Sequence, residues 1–397
     1  AEDGPPIALD LTAFFDDAED GAAGLTYTVT GNTNPSLVTA SVNGTDLVLA
    51  FAAGRSGSAT ITVRGTDAEG AFVEDTFLVS VTPAPTDPPP PTPPGTPPTP
   101  KPPTPRTFVD LLAVGAGGSL DGVNPAPVKV NNPDGSLRFT LVPYPGFLGA
   151  VSVATADFTG DGVDDIVTGA GNLGGPHVKV FDGATGAEIH SFFAYDDFDR
   201  GGVFVAAGDV DGDGTPDIIT GAGVKGGPHV KVFDFGTLNE LASFFAFDES
   251  RRSGVTVGVV DGLILAGSGA GFADEVRAFD RTGVQVGQSL RPFGGTFFGG
   301  VNVTGGYGLI IAGAGGGGGP RLVVTTTAGD PLDDFFASSA AQTGGATVGN
   351  VTSDGIFAVG SGPGGRSEVW LIASAEGLVL DGFLAFSSDF AGGVFVG

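Results

Sequence analysis

The sequence predicts an all-β chain: a six-bladed β-propeller joined by a polyproline linker to a small N-terminal β-sandwich. Three observations carry that prediction. A unit of 46 to 52 residues recurs six times from residue 107 onward. Short runs alternate apolar and polar residues, and no 3.6-residue period appears anywhere. Prolines crowd into one segment, with 14 of them between positions 83 and 105.

Composition narrows the classes first. The 397 residues carry 17 bases and 45 acids, a net charge of −28. Phosphate neutralisation needs a basic surface, so nucleic acid is excluded as a partner. No apolar run approaches the roughly 20 residues of a membrane span. Cysteine and methionine are both absent. That rules out a disulfide scaffold and suits an oxidising exterior, where both residues are liabilities. The start Ala1-Glu2-Asp3-Gly4 reads as a mature end after signal cleavage, with ordinary loss of the initiator Met as the alternative. The expected location is therefore extracellular or at the cell surface.

Residues 1–82 form the first predicted domain. Leu25 to Thr30, Asp46 to Leu49, Ala59 to Arg64 and Thr76 to Val81 alternate as strands, separated by turn residues. Short antiparallel strands at this spacing suggest a sandwich. The length and the turn Thr66 to Gly70 resemble bacterial cadherin-like and Ig-like modules. Asp16, Asp17, Glu19 and Asp20 cluster in one loop. With Asp67 and Asp75 they form a candidate calcium site, against the alternative of a solvated acidic loop.

Residues 83–106 are the linker. Proline fixes φ and removes a donor, so the segment is expected as polyproline II. Thr86, Thr92, Thr96, Thr99 and Thr104 lie among the prolines. Threonine interleaved with proline is the composition of O-glycosylated stalks, so these five are candidate glycosylation positions. A bare semi-rigid spacer is the plainer reading.

Residues 107–397 contain the repeat. Gly174 to Asp182 recurs unchanged as Gly226 to Asp234, 52 residues later. Degenerate copies place Lys129, Lys179, Lys231, Arg277, Val323 and Trp370 at one equivalent position, at intervals of 50, 52, 46, 46 and 47. Each unit reads as four strands: a small apolar strand, a second apolar strand, an alternating third, and a fourth with paired aromatics. Six such units fit a six-bladed propeller rather than stacked helices. Glycine, 70 of 397, belongs to crowded inner strands and tight turns. The end Gly392 to Gly397 matches a first strand, and Phe108 to Leu112 matches a second. The C-terminus is thus expected to supply the first unit's missing strand, or to donate it to a neighbouring chain.

The acidic loops come next. Asp209, Asp211, Asp213 and Asp217 stand at positions 1, 3, 5 and 9, with Gly214 at position 6. Asp157, Thr159, Asp161 and Asp165 repeat the spacing around Gly162. Alternate carboxylates on a tight loop converge on one point, as Ca2+ requires. Position 12 of the first loop is Thr220, not Glu, which excludes an EF-hand. The Gly-Ala-Gly-x-x-Gly-Gly-Pro runs at 169–176 and 221–228, with these loops before them, resemble the FG-GAP (VCBS-type) repeat. The resemblance implies a propeller with integrin-α-like calcium loops. Later units depart from the pattern. Unit four keeps only Asp261-Gly262, unit five has Asn302, and unit six has Asn350, Thr352 and Asp354. Asn302 and Asn350 also start glycosylation sequons, as does Asn43, and Asn at a former ligand position is the simpler account of the first two.

The residues argue against an enzyme. His177 and His229 repeat one another, and His190 lies on a separate strand. No nucleophile elbow or zinc-site spacing appears. The expected function is a non-catalytic calcium-binding structural or adhesion protein that self-associates into a surface or fibre-like assembly. The alternative is a secreted module binding carbohydrate or protein.

Overall fold

A computed structural model describes residues 7–13, 15, 25–52, 55, 57–68, 70–81, 110–196, 198–338, 342–352, 355–373, 377–387 and 389–397. The chain divides into two compact units, Ala1–Lys101 and Pro102–Gly397. The linker, its five threonines and the acidic cluster Asp16, Asp17, Glu19 and Asp20 lie outside the described residues, as does Asp354.

Among its described residues the first unit holds six strands: β1 (Ile7–Asp10), β2 (Thr26–Asn32), β3 (Val38–Asn43), β4 (Asp46–Phe51), β5 (Gly57–Thr66) and β6 (Phe72–Val81). They form two three-stranded antiparallel sheets, β1-β4-β3 and β2-β5-β6. Leu11, Leu37, Leu47, Ile61 and Val63 are buried together in its core. Four strands are expected from alternation; β1 and β3 are the two that pattern does not announce. The candidate ligands Asp67 and Asp75 are spent locally, accepting from the Ala71 and Thr76 amides.

The second unit contains six four-stranded antiparallel sheets among its described residues. Sheet I uses β7 (Leu112–Ala116), β8 (Val128–Asn131) and β9 (Leu137–Leu141). Sheet II is β10 (Val151–Ala156), β11 (Asp165–Ala170), β12 (His177–Phe181) and β13 (Glu188–Phe193). Sheet III is β14 (Val203–Gly208), β15 (Asp217–Ala222), β16 (His229–Phe233) and β17 (Glu240–Phe245). Sheet IV is β18 (Val255–Val260), β19 (Leu263–Ser268), β20 (Val276–Phe279) and β21 (Gln285–Leu290). Sheet V is β22 (Val301–Gly306), β23 (Leu309–Ala314), β24 (Arg321–Thr326) and β25 (Pro331–Phe336). Sheet VI is β26 (Ala346–Val351), β27 (Ile356–Ser361), β28 (Glu368–Ala373) and β29 (Leu378–Leu384). The last strand, β30 (Val394–Val396), pairs with β7 and completes sheet I.

The first strands touch one another in order, and β30 touches both β26 and β10. Polar residues tie these inner strands together. Ser152, Thr256, Asn302 and Thr347 donate to the carbonyls of Val203, Val301, Ala346 and Val394 on the next inner strand. Asn302 is therefore a strand residue, not a relic of a loop. Asn350 likewise sits on β26 and donates to Thr155 O at 2.8 Å. The reading of both as former loop ligands is corrected: each bonds a neighbouring backbone. In sheets III and I the tying position is Phe204 and Phe395, whose rings face each other at 6.5 Å. Between the sheets lie fully buried second-strand residues such as Ile166, Ile218, Ile264 and Ile311. Close approach requires glycine here; a Cβ on Gly115 would collide with the Val151 carbonyl.

Candidate metal centre

In a four-stranded antiparallel sheet, the turns between strands one and two and between three and four lie at one end. The acidic loops are therefore on one rim of the second unit. That rim also carries Asp134, Asp182, Asp234 and Asp330 in third-to-fourth-strand turns. The opposite rim carries Arg200, Lys225, Arg251 and Arg252.

Loop length distinguishes the sheets. In sheets IV and V the first hairpin closes on two residues, Asp261-Gly262 and Tyr307-Gly308. All four have positive φ, at 48°, 79°, 52° and 78°. This is a type I′ turn, which matches strand twist without help. In sheets II and III the same hairpin instead spans residues 157–164 and 209–216.

The sheet III loop brings three carboxylates together. Oxygens of Asp209, Asp211 and Asp217 all lie within 4.8 Å of one another. Asp209 shapes the loop by accepting from Gly212 N at 2.7 Å and Gly214 N at 2.9 Å. Gly212 and Gly214 have φ of 84° and 92°, which glycine adopts without strain. Asp217 opens β15 and is 2% exposed. Its Oδ2 accepts from Val210 N at 3.0 Å. Burial pushes its carboxyl up to about 6, and the charges of Asp211 and Asp209 push the same way. Asp213 is not part of the trio; its Oδ1 accepts from Thr215 N at 2.7 Å.

The sheet II loop is differently spent. Asp157 accepts from the amides of Gly160, Asp161 and Gly162. Asp161 accepts from Val163 N. Asp165 is fully buried, takes the Phe158, Thr159 and Gly183 amides, and is raised by burial. One acid beside this loop escapes the spacing argument. Asp164 is pushed up to about 7 by burial and then by Asp110, Asp157 and Asp165. Together Asp110, Asp157 and Asp164 line a cleft of about 270 Å3 with Tyr307 and Asn350. The Asp164-Asp165 doublet is its one signal in the sequence.

The oxygen-only donor set and the concentrated negative charge of the sheet III loop fit a hard cation such as Ca2+. The histidines do not form a site. His177 stacks on Phe193 at 4.6 Å and His229 on Phe245 at 4.7 Å, as cross-strand pairs. Each Nε2 bonds a serine hydroxyl on the fourth strand. Burial depresses both rings, so they are neutral packing groups.

Residues 201–229 match the FG-GAP repeat family. That span runs from the start of β14 through the whole acidic loop to β16. Solved structures that match the chain include the Dos1 propeller, at 15% identity over 70% of each chain with a TM-score of 0.39. TolB from Acinetobacter baumannii is 12% identical over 83% of this chain and 79% of that one, TM-score 0.45. The exotype rhamnogalacturonan lyase YesX is 12% identical over 90% and 70%, TM-score 0.33. An FG-GAP repeat set in a succession of touching four-stranded sheets defines the second unit as a β-propeller. No helix among the described residues is long and apolar enough to cross a membrane.

Proposed function

We propose that this chain is a non-catalytic, extracellular, calcium-binding protein: an Ig- or cadherin-like sandwich, a polyproline linker and a six-bladed propeller. Its role is structural or adhesive, as a self-associating subunit of a surface or fibre-like assembly. The observation that carries the reading is the convergence of Asp209, Asp211 and Asp217 within 4.8 Å. Asp209, Asp211 and Asp217 would hold the ion in sheet III, with Asp213 recruited by releasing Thr215 N. Asp157, Asp161, Asp165 and Thr159 are the corresponding set in sheet II. The ion supplies charge neutralisation and loop rigidity. The chain's own contribution is to hold Asp209 with glycine amides so that its neighbours face inward.

Isothermal titration of EDTA-stripped protein with CaCl2 tests the metal claim: at least one site should titrate, and a flat isotherm refutes it. Light scattering and negative-stain imaging with and without calcium test assembly; a strict monomer at high concentration in calcium counts against it. A second reading, a binding module, is favoured by exposed apolar residues on the rim opposite the acids. Leu173 is 71% and Phe198 84% exposed there.

A further inference from the structure

The joint between sheets VI and I departs from the joints that end in sheets II, III and IV. In sheets II, III and IV the third strand ends its buried face on phenylalanine: Phe181, Phe233 and Phe279. Each stands opposite a second-strand isoleucine, Ile166, Ile218 or Ile264. Fourth-strand aromatics of the preceding sheet close on them, Phe192 on Phe233 at 5.1 Å and Phe244 on Phe279 at 4.8 Å. In sheet I the same register puts Asn131 opposite Leu112. The facing aromatic from sheet VI, Phe383, is still present, opposite Val369 as Phe192 is opposite Val178.

Loss of that ring leaves space. A cleft of about 610 Å3 opens between the two sheets, walled by Leu112, Asn131, Leu371, Leu380, Asp381 and Phe383. At other joints the turn beyond is covered, Phe139 lying 3.6 Å from a Cβ placed on Gly186 and Phe335 3.1 Å from one on Gly377. A Cβ on Gly135, at the corresponding turn of sheet I, would meet nothing within 4 Å.

The substitution also puts an amide on the cleft wall. Asn131 is only 8% exposed. Among the described residues its side-chain amide has no hydrogen-bond partner. An amide that the protein leaves without a partner and that lines the cleft keeps its donors and its acceptor for a ligand. The other polar walls are partly occupied: Asn132 accepts from Arg138 and donates to Ser136, and Asp134 accepts from Ser136 through Oδ1 alone. Asp381 accepts from the adjacent Gly382 N through Oδ1.

The chemistry of these walls selects a ligand. Among the described residues no lysine or arginine lines the cleft, so an anion finds no counter-charge there. Leucines and one phenyl ring offer an apolar face, while an amide and a carboxylate offer both donor and acceptors. A pyranose ring has that division: C–H bonds on one face, hydroxyls at its edge. The volume falls within the range of small-molecule sites. We propose that the cleft between sheets VI and I binds a neutral hexopyranosyl residue, with the Asn131 amide and Asp381 carboxylate on its hydroxyls and Phe383 against its C–H face. The site goes beyond the calcium reading and does not rest on it.

Saturation-transfer NMR on the full chain tests this, using the methyl pyranosides of glucose, mannose and galactose, with butylammonium as a cationic control. At least one glycoside should receive saturation. Asn131→Phe rebuilds the phenyl of sheets II to IV; it should cut affinity at least tenfold while leaving the melting temperature unchanged or raised. Asp381→Asn, at an exposed position, should weaken binding severalfold without altering stability, and it carries the test if the first variant misfolds. Absence of transfer to all three glycosides, transfer insensitive to the variants, or preference for butylammonium overturns the proposal.

Discussion

Replacing Asp217 by Asn should have opposite effects with and without calcium. The carboxyl is 2% exposed and displaced from 3.8 to about 6. Keeping it ionised at pH 7 therefore opposes folding by at most about 3 kcal/mol, at about 1.4 kcal/mol per tenfold change in proton affinity. Asn removes that charge and keeps one acceptor oxygen for Val210 N. Weakening this bond costs about 1 kcal/mol. In EDTA at pH 7 the variant should thus gain up to about 2 kcal/mol, a rise of roughly 3 °C for a unit of this size. The sign also fixes a pH profile. A carboxyl raised in the folded state favours folding when protonated, so metal-free wild type should lose stability as pH rises from about 4 through about 6. Asp217→Asn should lack that component. In calcium the order reverses, because a site filled at a hundredfold excess over Kd adds about 2.7 kcal/mol to wild type. Differential scanning calorimetry at pH 5 and 7, in EDTA and in CaCl2, reads all four states. If the variant is equally destabilised in EDTA and in calcium, the carboxylate only holds the turn and the reasoning fails.

Three further outcomes follow from particular contacts. Asp211→Ala should abolish most of the calcium-induced rise in melting temperature, whereas Asp213→Ala, outside the trio, should keep a larger part; equal losses would show that the loop rearranges fully around the ion. Glu275→Gln should destabilise by about 3–5 kcal/mol in calorimetry, since the carboxylate is 2% exposed and pairs with Arg277 at 2.6 Å and with Arg251 and Arg291 at 3.4 Å. Gly115→Ala should block the approach of β7 to β10 and yield an expanded, protease-sensitive second unit, while Gly160→Ala, with open space but φ of 72°, should cost only about 1–2 kcal/mol.

Much of the fold is legible because the repeat announces itself. Gly174 to Asp182 and its copy fix the spacing, and Val178, Val180, Val230 and Val232 alternate buried with half-buried neighbours as expected. Strands with weaker chemistry are harder to see. β1 is four residues long, and β3 buries only Val38 fully, its inner positions being Ala40 and Val42. The acidic loops are legible as spacing but not as geometry. Asp213 obeys the alternation yet turns to Thr215 N, because an Asp two residues before an amide closes its own local ring. Asp164 lies outside the alternation and becomes notable only because the fold sets Asp110 and Asp157 beside it. Asn302 and Asn350 look like worn loop positions in sequence, since strand and loop are separated there by a single two-residue turn or by residues that carry no periodic signal.

The contrast between hairpins bears on why two loops carry so much charge. Sheets IV and V show that the connection from first to second strand can close on two residues, Asp261-Gly262 and Tyr307-Gly308, with backbone geometry that needs no external support. The longer loops of sheets II and III are therefore not required by strand connection. They add ordered residues, and ordering each one opposes folding by about 1–2 kcal/mol of backbone entropy. They also bring Asp209 and Asp211 against a buried Asp217, an arrangement that raises the energy of the ionised state. Neither cost is recovered by apolar burial, for Asp211, Gly212, Asp213 and Gly214 are solvent-facing or partly so. A divalent cation removes the repulsion and fixes the loop in one step. Shortening the sheet III loop to an Asp-Gly pair between Gly208 and Asp217 should accordingly leave a folded propeller that is more stable than wild type in EDTA and no longer stabilised by calcium through that sheet. A shortened chain that fails to fold in either condition would mean that the loop serves the fold itself.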